Sequence, residues 1–235
     1  MGKLVAYSGF STSNYLEQPY NSDLDFGTGD FCIMGWVKTT ATTGGIVSRN
    51  AGSSGTRSFA FGLFSGGNIG IVSNGALTVS TTGLVNSNTW RFVCFSRTSN
   101  VSSLYIDGVL DSFGSDNGDV TEAGAVLQIG RDDGGSFAPL DGSLALLRIS
   151  ATAPTAEQIA KIYEDEKVLF QDNAQATLYG SSDAVTALAH DDATNLLHVG
   201  TSAGRSVFQG LRRVSNTTTA VGTAISASNG LVVEE

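Results

Sequence analysis

Acids are the most abundant reactive groups in this chain: 22 Asp and Glu stand against 13 Lys and Arg, a formal net charge of −9. Two carboxylates facing one glycosidic bond can hydrolyse it. Glu164 and Glu166, however, stand one residue apart on a predicted helix, where they point in different directions. Arg131-Asp-Asp-Gly-Gly135 offers two adjacent carboxylates beside flexible glycine. A hard cation wants several oxygens at once, so Asp132 and Asp133 are the candidate ligands for Ca2+. Asp116-Asn-Gly-Asp119 is a second acidic loop, and neither loop has the spacing of an EF-hand. The competing expectation for both is a hydrated turn whose aspartates bond their own backbone. Sugar recognition asks instead for an aromatic platform beside Asn, Asp or Arg. Tyr20, Phe64, Phe113 and Phe137 fall in or beside loops and are the exposed candidates. Phe137 follows the acidic loop, and with Asp116 and Asp119 it makes up the candidate ligand contacts. Trp36 and Trp90 lie in strand patterns and read as packing residues.

The remaining chemistry is sparse. His190 and His198 fall on facing strands of one predicted hairpin, near enough to meet across the turn and hold a metal. An ordinary cross-strand pair is the stronger expectation. No Cys-His spacing suits zinc. No Gly-x-Ser-x-Gly elbow and no phosphate loop ending in Gly-Lys-Ser/Thr occurs. No catalytic residue is assigned, and the chain is expected not to be an enzyme. Cys32 and Cys94 both sit in apolar strand patterns. Buried free thiols are common there and are favoured over a bridge, since nothing establishes an oxidising compartment.

Composition narrows the class further. A chain of 235 residues suits one large β domain or one domain with an appendage. About 150 residues already bury roughly 70% of their unfolded surface, so no disulfide staple is required. Charged residues make up 15%, below the usual ~25%, so the surface must be largely Ser, Thr, Asn and Gly. Such a surface suits extracellular or virion proteins. Net acidity argues against nucleic acid, which needs clustered Lys and Arg. No stretch approaches the roughly 20 apolar residues of a membrane span. Met-Gly-Lys-Leu-Val-Ala-Tyr-Ser at the start carries no recognisable signal peptide.

These groups must be held by strands. Residues 4–20 read as an opening strand. Phe31 to Lys38 is apolar on both faces, with Phe31, Ile33 and Val37 on one and Cys32, Met34 and Trp36 on the other. Such a strand is central and covered on both sides. Gly45–Arg49, Ser58–Phe64, the return through Ile69 and Ile71, and Leu77–Thr81 follow. Trp90–Arg97, Ser103–Ile106, Val126–Gly130 and Ser143–Ile149 complete about ten strands, a spacing typical of a sandwich or barrel. Asp107-Gly108 suits a two-residue hairpin turn with positive φ at both positions. Thr155 with Gln158 forms a capping box that opens a helix through Ile159, Ile162 and Tyr163 toward Leu169. Its Glu164-Asp-Glu166 run is expected to face solvent. After Gln171 the composition shifts. Ala184–Ala189, Leu196–Gly200 and Ser206–Val214 read as a few short strands, marginal alone.

The ordered set Asp30-Phe-Cys-Ile-Met-Gly-Trp-Val-Lys38, the Trp90 strand, Leu104-Tyr-Ile-Asp-Gly108, Ile129-Gly-Arg131, Leu140-Asp-Gly-Ser-Leu144 and the helix from Thr155 resembles the laminin-G-like, concanavalin-A-like jelly roll. The resemblance covers about residues 10–165. It implies two stacked antiparallel sheets, members that bind glycans or proteins, and frequent use of calcium. Glucanase relatives of this fold carry a Glu-x-Asp-x-x-Glu strand, which is missing here. Asp183-Ala-Val-Thr-Ala-Leu and Leu197-His-Val-Gly-Thr-Ser-Ala-Gly204 resemble one blade of a sensor-type β-propeller. A single blade cannot bury its core face alone. The combination is similar in style to accessory proteins of bacteriophage virions and tail fibres.

The expectation is therefore an all-β chain: a two-sheet antiparallel jelly-roll sandwich with one short C-terminal helix over residues 1–170, and a small β-rich extension over 171–235. Its expected role is a non-enzymatic virion module, as capsid decoration or tail fibre. It would be virion-borne or extracellular and would adhere to a host-surface glycan or another virion protein. Assembly is expected through the extension as a homo-oligomer, a trimer by preference. A calcium-assisted lectin is the alternative, and a glycoside hydrolase a distant third.

Overall fold

A computed structural model describes residues 6–51, 57–64, 66–132, 137–170, 185–210 and 212–221. The chain divides between Leu169 and Phe170 into two compact units. The first opens with β1 (Tyr7–Ser8), β2 (Leu16–Gln18), β3 (Phe31–Thr39), β4 (Gly44–Asn50), β5 (Arg57–Leu63) and β6 (Asn68–Ser73). It continues through β7 (Ala76–Leu84), β8 (Arg91–Thr98), β9 (Val101–Ile106), β10 (Val109–Ser115), β11 (Val126–Ile129) and β12 (Gly142–Ser150) to helix α1 (Ala156–Glu166). These strands form two antiparallel sheets. The first runs β1-β12-β3-β8-β9-β10 and the second β2-β11-β4-β5-β6-β7.

Alternation along each strand builds the core. Phe31, Ile33, Val93, Phe95 and Leu104 point inward from the first sheet and meet Val47, Phe59, Phe61, Ile69 and Ile71 from the second. Fully burying one such side chain is worth about 1.5–3 kcal/mol. The two-sided apolar pattern of β3 has the consequence expected of it. Cys32, Met34 and Trp36 are buried on the outer face, where α1 packs. The Trp36 and Tyr163 rings stack at 5.8 Å, and the Thr155–Gln158 capping box is formed.

Two local expectations are corrected. Glu166 does not face solvent. It accepts from Trp36 Nε1 at 2.8 Å and takes a bidentate pair from Arg148 at 2.6 and 2.9 Å, which fastens the helix to the sheet. Glu164 and Asp165 are exposed, as expected. Residues 4–20 are also not one strand. A turn in which Asn14 Nδ2 donates to Gly9 O at 2.7 Å splits the described part into β1 and β2, which join different sheets.

The hairpin after β9 turns through Asp107 at φ 50° and Gly108 at φ 77°, the geometry the Asp-Gly pair favours. A Cβ on Gly108 would also sit 3.1 Å from both Ala160 Cα and Tyr163 Cβ. Glycine is thus required for backbone freedom and for the approach of α1. Gly108→Ala is expected to cost about 1–3 kcal/mol, the range for a residue held in a disfavoured backbone region. A urea melt with an unchanged midpoint would contradict this.

At the β7–β10 side the two sheets are stitched together. A bulge in β10 turns Asp111 outward from its ladder, so that its carboxylate accepts from Thr82 N at 2.7 Å and Gly83 N at 3.0 Å. Partial burial works against the charged form, but the Thr82 N–H, the Ser112 hydroxyl and the Gly83 N–H outweigh it and hold the Asp111 pKa below the ordinary range. A depressed carboxyl pKa stabilises the fold fully above its unfolded value of about 3.9. That contribution is lost as pH falls through the folded value. Asp111→Asn should therefore flatten the acid limb of a pH–stability curve below about pH 4. An acid limb identical to wild type would count against the seam.

The second unit contains β13 (Val185–Asp191), β14 (Leu196–Thr201), β15 (Gly204–Gln209) and β16 (Arg212–Thr217), paired antiparallel in sequence order. Ala189 pairs with His198 and His190 with Leu197. The two imidazoles therefore occupy opposite faces and do not meet. His190 instead bonds Asp192 Oδ1 at 2.8 Å and Asn195 Oδ1 at 3.2 Å within its own turn. Among the described residues no helix is long and apolar enough to cross a membrane.

Candidate functional site

The outer face of the second sheet carries the best-built surface in the first unit. One cross-strand row runs Glu17, Gln128, Ser48, Ala60, Val72, Leu77 from β2 to β7. It passes from a carboxylate and an amide, over two small residues, to aliphatic side chains. Beside it, Gly45 pairs with Gly62, Gly62 with Gly70, and Gly70 with Ser80. The small residues of both rows, Ser48, Ala60, Gly45, Gly62 and Gly70, are buried beneath neighbouring groups. The Phe64 ring covers Gly70, since a Cβ there would stand 2.5 Å from it.

Of the residues after β11, Arg131 and Ala138 lie against β4. The Arg131 carbonyl accepts from Ser48 Oγ at 3.0 Å, and the Ala138 carbonyl accepts from Gly45 N at 2.9 Å. Asp132 is 5% exposed. One of its oxygens accepts from Asn50 Nδ2 at 2.8 Å, and the other from Phe137 N at 3.1 Å. This turns Phe137 inward onto Ala60 and Val72, edge-to-face with Phe64 at 4.7 Å. Sequence reading treats Phe137 as exposed. At 4% exposure it is a supporting residue, and Phe64 is the half-buried aromatic at the surface. Asn50 Oδ1 is buried and has no hydrogen-bond partner among the described residues.

The two calcium candidates separate here. Asp132 faces Asn50, and Asp133 lies outside the described residues. The described oxygens are one carboxylate and the orphaned Asn50 amide oxygen, against the six to eight that Ca2+ takes. Among the described residues no group of three or more His, Cys, Asp or Glu lies close enough to hold a metal.

The other acidic loop has a structural task. Asp116 is 4% exposed and accepts from Ser73 Oγ at 3.0 Å and Ser102 Oγ at 2.6 Å, with Arg97 Nη1 at 3.6 Å. Burial among these partners removes it from the solvent-facing ligand contacts that sequence reading gave it. Asp119 is exposed. The Thr121 N–H and hydroxyl hold its pKa below the ordinary range, which is the behaviour of a turn aspartate. Of the other aromatics, Phe113 is exposed, Tyr20 donates its hydroxyl to Asp25, and Trp36 is buried under α1. Sequence reading did not single out Glu17, Ser48, Asn50 or Gln128. Ser48 and Asn50, two apart on β4, would have shown a polar outer face by alternation alone.

A sequence model of the concanavalin A-like lectin/glucanases superfamily matches residues 10–160, more than half of the chain. No curated protein matches in sequence. Among solved structures, the heptameric SAP-like pentraxin from Limulus polyphemus is 19% identical, covers 68% of this chain and 82% of its own, and has a TM-score of 0.53. The CBM40 of the Ruminococcus gnavus IT-sialidase, bound to α2,3-sialyllactose, is 13% identical at a TM-score of 0.52. The match covers 69% of this chain and all of that one. A Trypanosoma rangeli sialidase is 14% identical at a TM-score of 0.52. It covers 73% of this chain but only 29% of the sialidase. At these identities the likenesses establish the jelly-roll fold.

Proposed function

The chain belongs to the concanavalin A-like lectin/glucanases superfamily, and from that premise we propose that its first unit is a non-enzymatic module that binds glycans on the outer face of the second sheet. The observation that carries this reading is the half-buried Phe64 ring, which lies over Gly70 and against Phe137 at the surface of that sheet. The aromatic edge at Phe64 offers a stacking surface, and Glu17 offers acceptors for hydroxyl groups at the other end. The CBM40 and the pentraxin share the jelly-roll fold, and the CBM40 is bound to a sialylated sugar. Against catalysis, Asp132 is buried with both oxygens already accepting, so it is not a free acid or base. The setting proposed is a virion or extracellular surface, with homo-oligomerisation through the second unit. Val185, Leu188 and Val214, all exposed there, support that step.

A second reading adds calcium beside Asp132. The orphaned Asn50 Oδ1 favours it, since a buried acceptor without a donor is costly unless something electropositive reaches it. A glycan array run in calcium and in chelator tests both readings. Binding in both conditions supports the sheet face alone, and binding lost in chelator supports the ion. Turnover of a bound glycan would overturn the non-enzymatic reading. For assembly, a strict monomer by light scattering would reject the oligomer.

A further inference from the structure

Three sulfur-bearing side chains are neighbours on the outer face of the first sheet. Cys32 and Cys94 are buried free thiols with their sulfurs 3.8 Å apart. Met34 pairs directly with Cys94 across β3 and β8, and it stands two residues from Cys32 on β3. Residues two apart on a strand share a face, as do residues directly opposite on an antiparallel partner, so all three project from the same side of the sheet. Met34 also lines a groove of about 640 Å³ bordered by the end of β12 and by α1, with Ser150, Pro154, Gln158 and Ile162 in its walls. The groove brings solvent as far as the Met34 side chain, next to both thiols in the sheet.

We propose that Cys32, Cys94 and Met34 form a binding site for one soft monovalent metal ion, of the class of Cu(I) and Ag(I). Geometry and ligand type carry the argument, independently of the glycan reading of the second sheet. Metal–sulfur bonds are about 2.3 Å long, so sulfurs 3.8 Å apart subtend roughly 110° at a shared ion. A two-coordinate ion asks for a straight line. An angle near that value belongs to a site with a third ligand, and a methionine thioether is unbranched and adaptable enough to supply it. Thiolate and thioether ligands select soft ions, whereas carboxylate and carbonyl oxygens suit Ca2+ and Mg2+. A structural zinc asks for four ligands, and among the described residues no group of three or more His, Cys, Asp or Glu lies close enough to hold one. On binding, each thiol gives its proton to water and each sulfur donates an electron pair to the ion. The Cys32 contact and burial hold the Cys94 proton in place, while the charge of Arg148, which pairs with Met34 from β12, opposes them. With two thiolates the loaded site carries one net negative charge, and Arg148 is the neighbouring cation. No oxidant is needed. Both sulfurs are then bonded to the ion, so a loaded site is protected from bridging.

Anaerobic titration of the full, reduced chain with Cu(I), supplied in a competing bicinchoninate chelator, tests this. One ion should bind per chain, and native mass spectrometry should show one copper gained and two hydrogens lost. Met34→Leu conserves side-chain volume, so the fold should survive while binding weakens at least tenfold. Replacing both cysteines, Cys32→Ala with Cys94→Ala, should abolish binding. Loading the wild type with Cu(I) should also block the Cys32–Cys94 bridge in oxidised glutathione, a readout that needs no variant. Zn2+ or Ca2+ at the same concentration should leave bridging unchanged. A chain that takes up no copper would overturn the proposal. Copper retained after both cysteines are replaced would overturn it too, because the ion would then sit elsewhere. Equal affinity in the Met34→Leu variant would overturn the three-sulfur site, and protection by Zn2+ would overturn its preference for soft monovalent ions.

Discussion

Arg97→Met is expected to destabilise the first unit by about 3–5 kcal/mol, the range found when one partner of a buried ion pair is removed. The guanidinium is 0% exposed. It donates from Nε to Gly29 O at 2.8 Å, from Nη1 to Gly118 O at 2.7 Å, and from Nη2 to Gly27 O at 2.7 Å. Phe31 lies under it at 4.7 Å and Asp116 beside it at 3.6 Å. One side chain thus ties the loop before β3 to the loop after β10. Methionine keeps the contact with Phe31 but takes the guanidinium donors from three carbonyls, of which Gly27 O keeps the Val120 N–H, and leaves Asp116 without its cation. Lysine keeps the charge but cannot reproduce a planar fork, so Arg97→Lys should fall between the two. Urea denaturation of both variants measures the loss. A methionine variant within about 1 kcal/mol of wild type would show that other contacts hold these loops.

The second large effect is a gain. Cys32 and Cys94 are free and buried on neighbouring strands, with their sulfurs 3.8 Å apart. They are separated by 62 positions in sequence. A bridge closing a loop of that length restricts the unfolded chain by about 4 kcal/mol. In a unit of this size that corresponds to roughly 10 °C in Tm. The folded protein should nonetheless oxidise slowly. The hydrogen bond with Cys32 and burial push the Cys94 pKa well above its ordinary value, and the attacking species is the thiolate. Refolding in a glutathione redox buffer should yield protein lighter by two hydrogens and with a higher Tm. A bridged product that melts at or below the reduced protein would mean that closing the bond distorts the sheet.

What was legible in the sequence was what neighbours in the chain decide. Asp107-Gly108 specifies its turn by its own φ preferences. The two-sided apolar run of β3 requires a cover on each face, and Thr155 with Gln158 starts the helix without help. The residues passed over or misread are those whose environment comes from far away. Arg97 meets carbonyls 68 and 70 positions back, and Glu166 meets Trp36 across 130 positions. No local pattern marks a charged side chain as buried when its partners belong to other strands. Phe137 reads as a loop aromatic because the residue that turns it inward, Asp132, reads as a solvated acid. Asp116 was misread for the same reason. The setting of Phe64 was obscured because the residues it packs on, Gly70 on β6 and Phe137 beyond β11, come together only once the strands are paired.

Binding on the outer face of the second sheet is tested most directly by a glycan array of the full chain beside two variants, Phe64→Ala and Glu17→Ala. Both side chains lie outside the main core, so the fold should be retained. The wild type is expected to bind at least one glycan class, with binding weakened about tenfold in each variant. That is the order expected for losing one stacking contact or one charge-assisted hydrogen bond. A wild type that binds no glycan, or binding unchanged in both variants, would contradict it.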